Sequence, residues 1–183
     1  MEALELPQSF VRSFTRARQP ENVTDKGMFY GFYTRLFYYL FKIDSPFSFE
    51  MYDVAADGVR TFVVEHNGRP VMVIQIQIPG NLNDDGRRRE ADERMRQCFL
   101  SLHPRLGATL HVSGISIFGS RLAFYDYVVA DQTRVTRPSG TTSAASVVID
   151  GVPPVEWWHV DLLEAGGFAR LRHEALVVVQ MCN

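Results

Sequence analysis

Two amides sit on one face of an apolar run. Gln75 and Gln77 fall within Val71-Met72-Val73-Ile74-Gln75-Ile76-Gln77-Ile78. Side chains of a strand alternate between faces, so Met72, Ile74, Ile76 and Ile78 share one side, and Val73, Gln75 and Gln77 the other. A carboxamide donates and accepts hydrogen bonds but carries no charge. It is no general base near neutral pH, and its carbonyl is a poor substitute for carboxylate at Mg²⁺. The plain expectation is a half-exposed strand whose amides meet solvent or a neighbouring helix. A second grouping, Arg87-Arg88-Arg89, opens a helix, where guanidinium groups and the helix end together suit phosphates. Glu90, Asp92 and Glu93 follow at once, and the plainer reading is a solvated helix start.

Other chemistry finds little footing. Ser113-Gly114 and Ser116 lack the flanking glycines of a nucleophile elbow. His66, His103, His111, His159 and His173 form no close pair at metal spacing. Cys98 and Cys182 are the only cysteines, too few for a disulfide framework, and read as buried thiols. Gly166-Gly167 has no phosphate-loop pattern around it. The basic residues are almost all arginine, with lysine at positions 26 and 42 alone. Chemistry needing a mid-chain lysine therefore has none to use.

The elements that must position these residues are legible in outline. Thr61–His66 and Val71–Ile78 read as strands around the turn dipeptide Asn67-Gly68. Phe47–Val54 alternates as a half-buried strand, joined to them by Ala55-Ala56-Asp57-Gly58. Thr24-Asp25 can cap a helix from Lys26 to Lys42, rich in Phe and Tyr at helical spacing. Asn81–Gly86 reads as a loop, and Arg87 onward as a helix that Pro104 ends. Thr109–Phe118 and Arg121–Val129 form a hairpin about Gly119-Ser120. Arg134–Arg137 extends the sheet, Ser139–Ser146 is a polar loop, and Val147–Ile149 is extended. The last helix is expected from Asp161, with Glu164 completing a capping box and Leu163, Gly167, Leu171, Ala175 and Val178 facing inward.

A length of 183 residues with 46% hydrophobic and 22% charged content describes one ordinary folded domain. The expectation is a single domain over 1–183: an N-terminal arm over 1–22, packed on a core over 23–183. The class is α/β or α+β, a central mixed sheet flanked by helices. A net charge of −2 gives no global attraction to nucleic acid, so phosphate binding needs a local patch. Met-Glu-Ala-Leu-Glu is not a signal peptide, and the apolar runs fall short of a membrane span. An intracellular chain without membrane association is expected.

Helix, three-strand meander, helix, strand is the core order of the restriction-endonuclease-like, or PD-(D/E)xK, nuclease superfamily, which the chain resembles. More closely it resembles a group of uncharacterised fungal proteins with that fold. The matching stretches are Val23-Thr24-Asp25 with Met28-Phe29-Tyr30-Gly31, Pro70-Val71, Glu90-Ala91-Asp92 with Met95-Arg96, Gly114-Ile115-Ser116 with Phe118-Gly119, Phe124-Tyr125, and Trp157 ahead of Asp161. The resemblance implies that Asp57 matches the motif aspartate, Gln75 the second acidic position and Gln77 the lysine. One carboxylate and the ammonium are thus replaced together, in a chemistry that needs both. It implies a degenerate nuclease-like domain that binds nucleic acid or a protein partner, with no cofactor. The alternatives are an active Mg²⁺-dependent nuclease, using Asp57 with Glu65 or Glu50 (Asp53 being a further candidate), and a homodimer formed through the aromatic Lys26–Lys42 helix.

Overall fold

The computed structural model describes residues 5–42, 44–54, 59–129, 135–136, 151–164 and 166–182. In chain order they form α1 (Gln8–Ala17), α2 (Lys26–Phe41), β1 (Phe47–Val54), β2 (Arg60–His66), β3 (Arg69–Gln77), α3 (Asp85–Leu102), β4 (His111–Phe118), β5 (Arg121–Val128), β6 (Val135–Thr136), β7 (Val160–Asp161) and α4 (Gly167–Met181). Short 3₁₀ turns occupy Pro79–Asn83, His103–Arg105 and Val155–Trp158.

The strands make one mixed sheet in the order β1-β2-β3-β4-β5-β6, with β7 also on β5. β1, β2 and β3 are successively antiparallel. β3 and β4 are parallel, a pairing that requires a crossover, and α3 supplies it. The chain is therefore α+β, with helices on both faces of the sheet.

Local chemistry sets the element ends. Asp25 accepts from the Gly27 N–H at 2.8 Å and starts α2. Asp84 accepts from the Arg87 N–H at 3.0 Å and starts α3, so that helix begins at Asp85, earlier than Arg87. Asn67 and Gly68, at φ 51° and 76°, supply the two positive angles of the β2–β3 turn. The last helix begins at Gly167, not at Asp161. Asp161 is held in β7 opposite Arg121, and its carboxylate accepts from the Leu163 N–H at 3.0 Å. That local turn uses the same side chain a capping box would use.

The sheet buries both faces. Met72, Ile74, Ile76, Ile115, Ile117, Leu122 and Phe124 pack with α1, α2 and α4. Val63, Val73, Val112, Phe118, Ala123, Tyr125 and Tyr127 pack with α3 and the Trp157-Trp158 turn. Each such large apolar side chain contributes about 1.5–3 kcal/mol. The aromatic stripe of α2 is spent inside: Phe29, Tyr30, Phe32, Tyr33, Phe37 and Phe41 are buried. α1 completes this layer through Phe14, whose ring meets that of Phe32 edge-on at 4.7 Å. The N-terminal arm is thus a packed helix. Of the α2 aromatics offered as a dimer face, Tyr38 and Tyr39 stay exposed. Residues 137–150, with the expected loop Ser139–Ser146 and segment Val147–Ile149, lie outside the described residues, as does Arg134.

Candidate functional site

Gln75 and Gln77 do not meet solvent: they are 0% and 2% exposed. Gln75 lies beneath α3 and Gln77 against Asn81 of the 3₁₀ turn that follows β3, because β3 is central and covered on both sides. Gln75 stands in a polar row across the sheet, opposite Thr61 on β2 and Ser116 on β4. With its amide oriented to satisfy both ends, its nitrogen donates to the Ala91 carbonyl at 3.1 Å. Its oxygen accepts from the Met95 N–H at 3.0 Å. Those two backbone groups are also one i→i−4 step of the helix. The side chain therefore docks onto a turn of α3 and fixes how the helix seats on the strand. Ser116 receives the indole N–H of Trp158 at 3.2 Å. The row is a buried polar seam.

Gln77 is less well served. Its side-chain oxygen accepts from the Asn81 amide at 3.4 Å, and its Nε2 has no partner among the described residues. Asp57 lies outside the described residues, and so does the side chain of Asp53. The substitute carboxylates sit elsewhere. Glu65 pairs with Pro70 at the hairpin end of β2, whereas Thr61 faces Gln75. Four residues of strand separate Thr61 from Glu65, about 13 Å at the usual rise. Glu65 is buried and salt-bridged to Arg105. Glu50 approaches the same guanidinium at 3.8 Å. The structure thus gathers Glu65 and Glu50 around an arginine at the far end of the strand from Gln77. Among the described residues no three His, Cys, Asp or Glu side chains converge as a metal site would require.

The arginine triplet divides. Arg88 is buried, and its guanidinium donates to the carbonyls of Pro153 at 2.9 Å and Leu82 at 2.7 Å and pairs with Asp85. It ties the helix start to the Pro153 segment, which takes it away from any phosphate. Arg87 pairs with Glu90 at 3.0 Å, and Arg89 is exposed on the next position of the helix. The run is a fastened helix start, not a row of three equivalent cations.

Sequence reasoning missed a second polar cluster, on the opposite face. Ser113 donates to Glu174 of α4 at 2.9 Å, and Arg170 approaches the other oxygen of that carboxylate at 3.6 Å. His111 meets Asp126 at 2.9 Å across β4 and β5. The hydrogen bond to Asp126 raises the His111 pKa. Burial opposes that rise, and the charges of Asp126 and Glu174 add to it. No local spacing announces these pairs, since their partners lie 61 and 15 residues away. Alternation of Ser113 with Ile115 on one face is the single visible sign.

No family model, curated protein or solved structure matches the chain. Among the described residues no helix is long and apolar enough to cross a membrane.

Proposed function

We propose that the chain is a nuclease-like domain that has lost hydrolysis and works by binding, with nucleic acid as its ligand. One observation carries the reading: the two β3 positions that a nuclease motif would charge hold neutral amides, and the Gln75 amide is consumed by the backbone of α3. A carboxylate at that position would have one oxygen against the Ala91 carbonyl, an arrangement that penalises charge. Metal-assisted phosphodiester hydrolysis needs carboxylates for the cation and positive charge beside the phosphate. Neither Gln75 nor Gln77 provides one. The element order supports the scaffold: a helix, three antiparallel strands, a crossover helix, then a strand parallel to the third.

The test is incubation with plasmid and with single-stranded DNA and RNA in Mg²⁺ or Mn²⁺. The expected result is retention of nucleic acid on filters without cleavage, in wild type and in Asp57→Ala alike. Metal-dependent cleavage that Asp57→Ala abolishes would replace this reading with an active nuclease.

A further inference from the structure

Three arginines converge on one groove where α1, α2 and the start of β2 meet. Arg16, Arg35 and Arg60 line a space of about 690 Å³, with Ser13, Gly27 and Thr34 among the other lining residues. Among the described residues no carboxylate lines it. The nearest acidic group in sequence, Asp25, is turned to its capping bond with Gly27.

Six other arginines of this chain are matched with acids. Arg87, Arg88, Arg96, Arg105, Arg121 and Arg170 each have a carboxylate within salt-bridge reach. Arg16, Arg35 and Arg60 have none among the described residues. Arg35 donates instead to the hydroxyl of Ser13 at 2.8 Å, which joins α2 to α1. Arg60 lies over the Tyr30 ring, 4.4 Å from its centre. Both arrangements hold a guanidinium in place through a neutral partner. Arg12, Arg18, Arg69 and Arg172 also have no acid partner among the described residues, but none of them lines this groove. Convergence is what distinguishes the trio.

Three like charges around one cleft repel one another, and a protein of net charge −2 had acids with which to neutralise them. The arrangement suits an anion. Guanidinium presents a planar fork of donors that matches the oxygens of phosphate. We propose that this α1–α2 groove is a phosphate-binding site, occupied by the backbone of a nucleic-acid strand or by a small phosphate ester. The groove deepens the binding half of the reading above and rests on it for the choice of nucleic acid; its affinity for phosphate rests on the arginines alone.

The test uses the full chain and two probes: a fluorescein-labelled 20-nucleotide single strand followed by anisotropy, and pyrophosphate followed by calorimetry. Arg16 and Arg35 are exposed, so Arg16→Gln/Arg35→Gln removes no buried side chain and loses only the Arg35–Ser13 hydrogen bond, and circular dichroism checks that the fold is retained. The double variant is expected to weaken binding at least tenfold. It should also flatten the slope of log affinity against log salt by about 0.7 for each phosphate that is no longer neutralised. Arg60→Gln is the second variant and is expected to act in the same direction. Oligonucleotide binding that the variants weaken supports the groove and assigns it to nucleic acid. Pyrophosphate binding that they weaken, with no oligonucleotide bound, supports the groove and overturns the nucleic-acid reading. Oligonucleotide binding that the folded double variant leaves unchanged overturns the groove and spares that reading. Wild type that binds neither probe at about 50 mM salt, where phosphate attraction is strong, overturns both.

Discussion

At the scale of single residues, Gln75 is neutral because its surroundings admit no charge. It must donate to one backbone group and accept from another, and a carboxamide is the side chain that does both at that length. Gln75→Glu tests this. The protonated acid can still donate to the Ala91 carbonyl, but the carboxylate cannot. Burial raises the pKa of such a group above its unfolded value. Its contribution is then retained at low pH and lost as pH rises through the folded pKa. The variant should approach wild-type stability near pH 4, below the unfolded glutamate pKa of about 4.3, and fall below it by about 2–3 kcal/mol near pH 8, as measured by urea unfolding at both values. Equal destabilisation at the two pH values would show that the amide is not held between those backbone groups. The sequence disclosed the pair of amides and their shared face. It did not disclose their burial, because alternation in Val73-Gln75-Gln77 reads the same whether water or a helix covers that face. It also left Arg88 among its neighbours as one of three equal cations, although Arg88 alone turns inward.

At the scale of elements, packing between segments decides which glycines matter. Gly114 on β4 lies under α3, and an added methyl would come within 2.6 Å of Phe99 Cζ, 3.0 Å of Met95 Sδ and 3.1 Å of Tyr125 Cβ. Gly31 is on the exposed side of α2, with nothing within 4 Å of such a methyl. Gly114→Ala should cost about 1–3 kcal/mol through overpacking. Gly31→Ala should stabilise by about 0.5–1 kcal/mol through helix propensity. Thermal melts of the two variants should move in opposite directions, and a shift of the same sign in both would contradict this seating of α3. The same packing explains what could be read in advance. α2, β1, β2, β3 and the β4–β5 hairpin carry their period and turn residues locally, and they stand where the sequence puts them. The last helix does not: Asp161 and Glu164 imitate a capping box, and only the pairing of Asp161 with β5 shows that the chain is still extended there.

At the scale of the whole molecule, stability concentrates at the middle of the sheet. β3 and β4 have strands on both edges and helices over both faces, whereas β1 is an edge strand and alternates in exposure. Backbone amides of Met72–Ile76 and Ser113–Ile117 should therefore exchange with solvent slowest and those of β1 soonest. Native-state hydrogen exchange measures this, and protection of β1 equal to that of β3 would contradict the layering. The order of layers was visible in the alternation of strand and helix signals. Which helix covers which face was not, since that depends on a crossover whose landing no local pattern encodes. That crossover also affects synthesis. Strand β3 emerges with β2 already beside it, but its other edge waits for His111–Phe118, made only after all of α3. In the interval Val71–Ile78 offers an apolar, β-prone edge of the kind that pairs with its own copies. A nascent chain halted between these two strands would seed fibrillar aggregates instead of idling as half a domain.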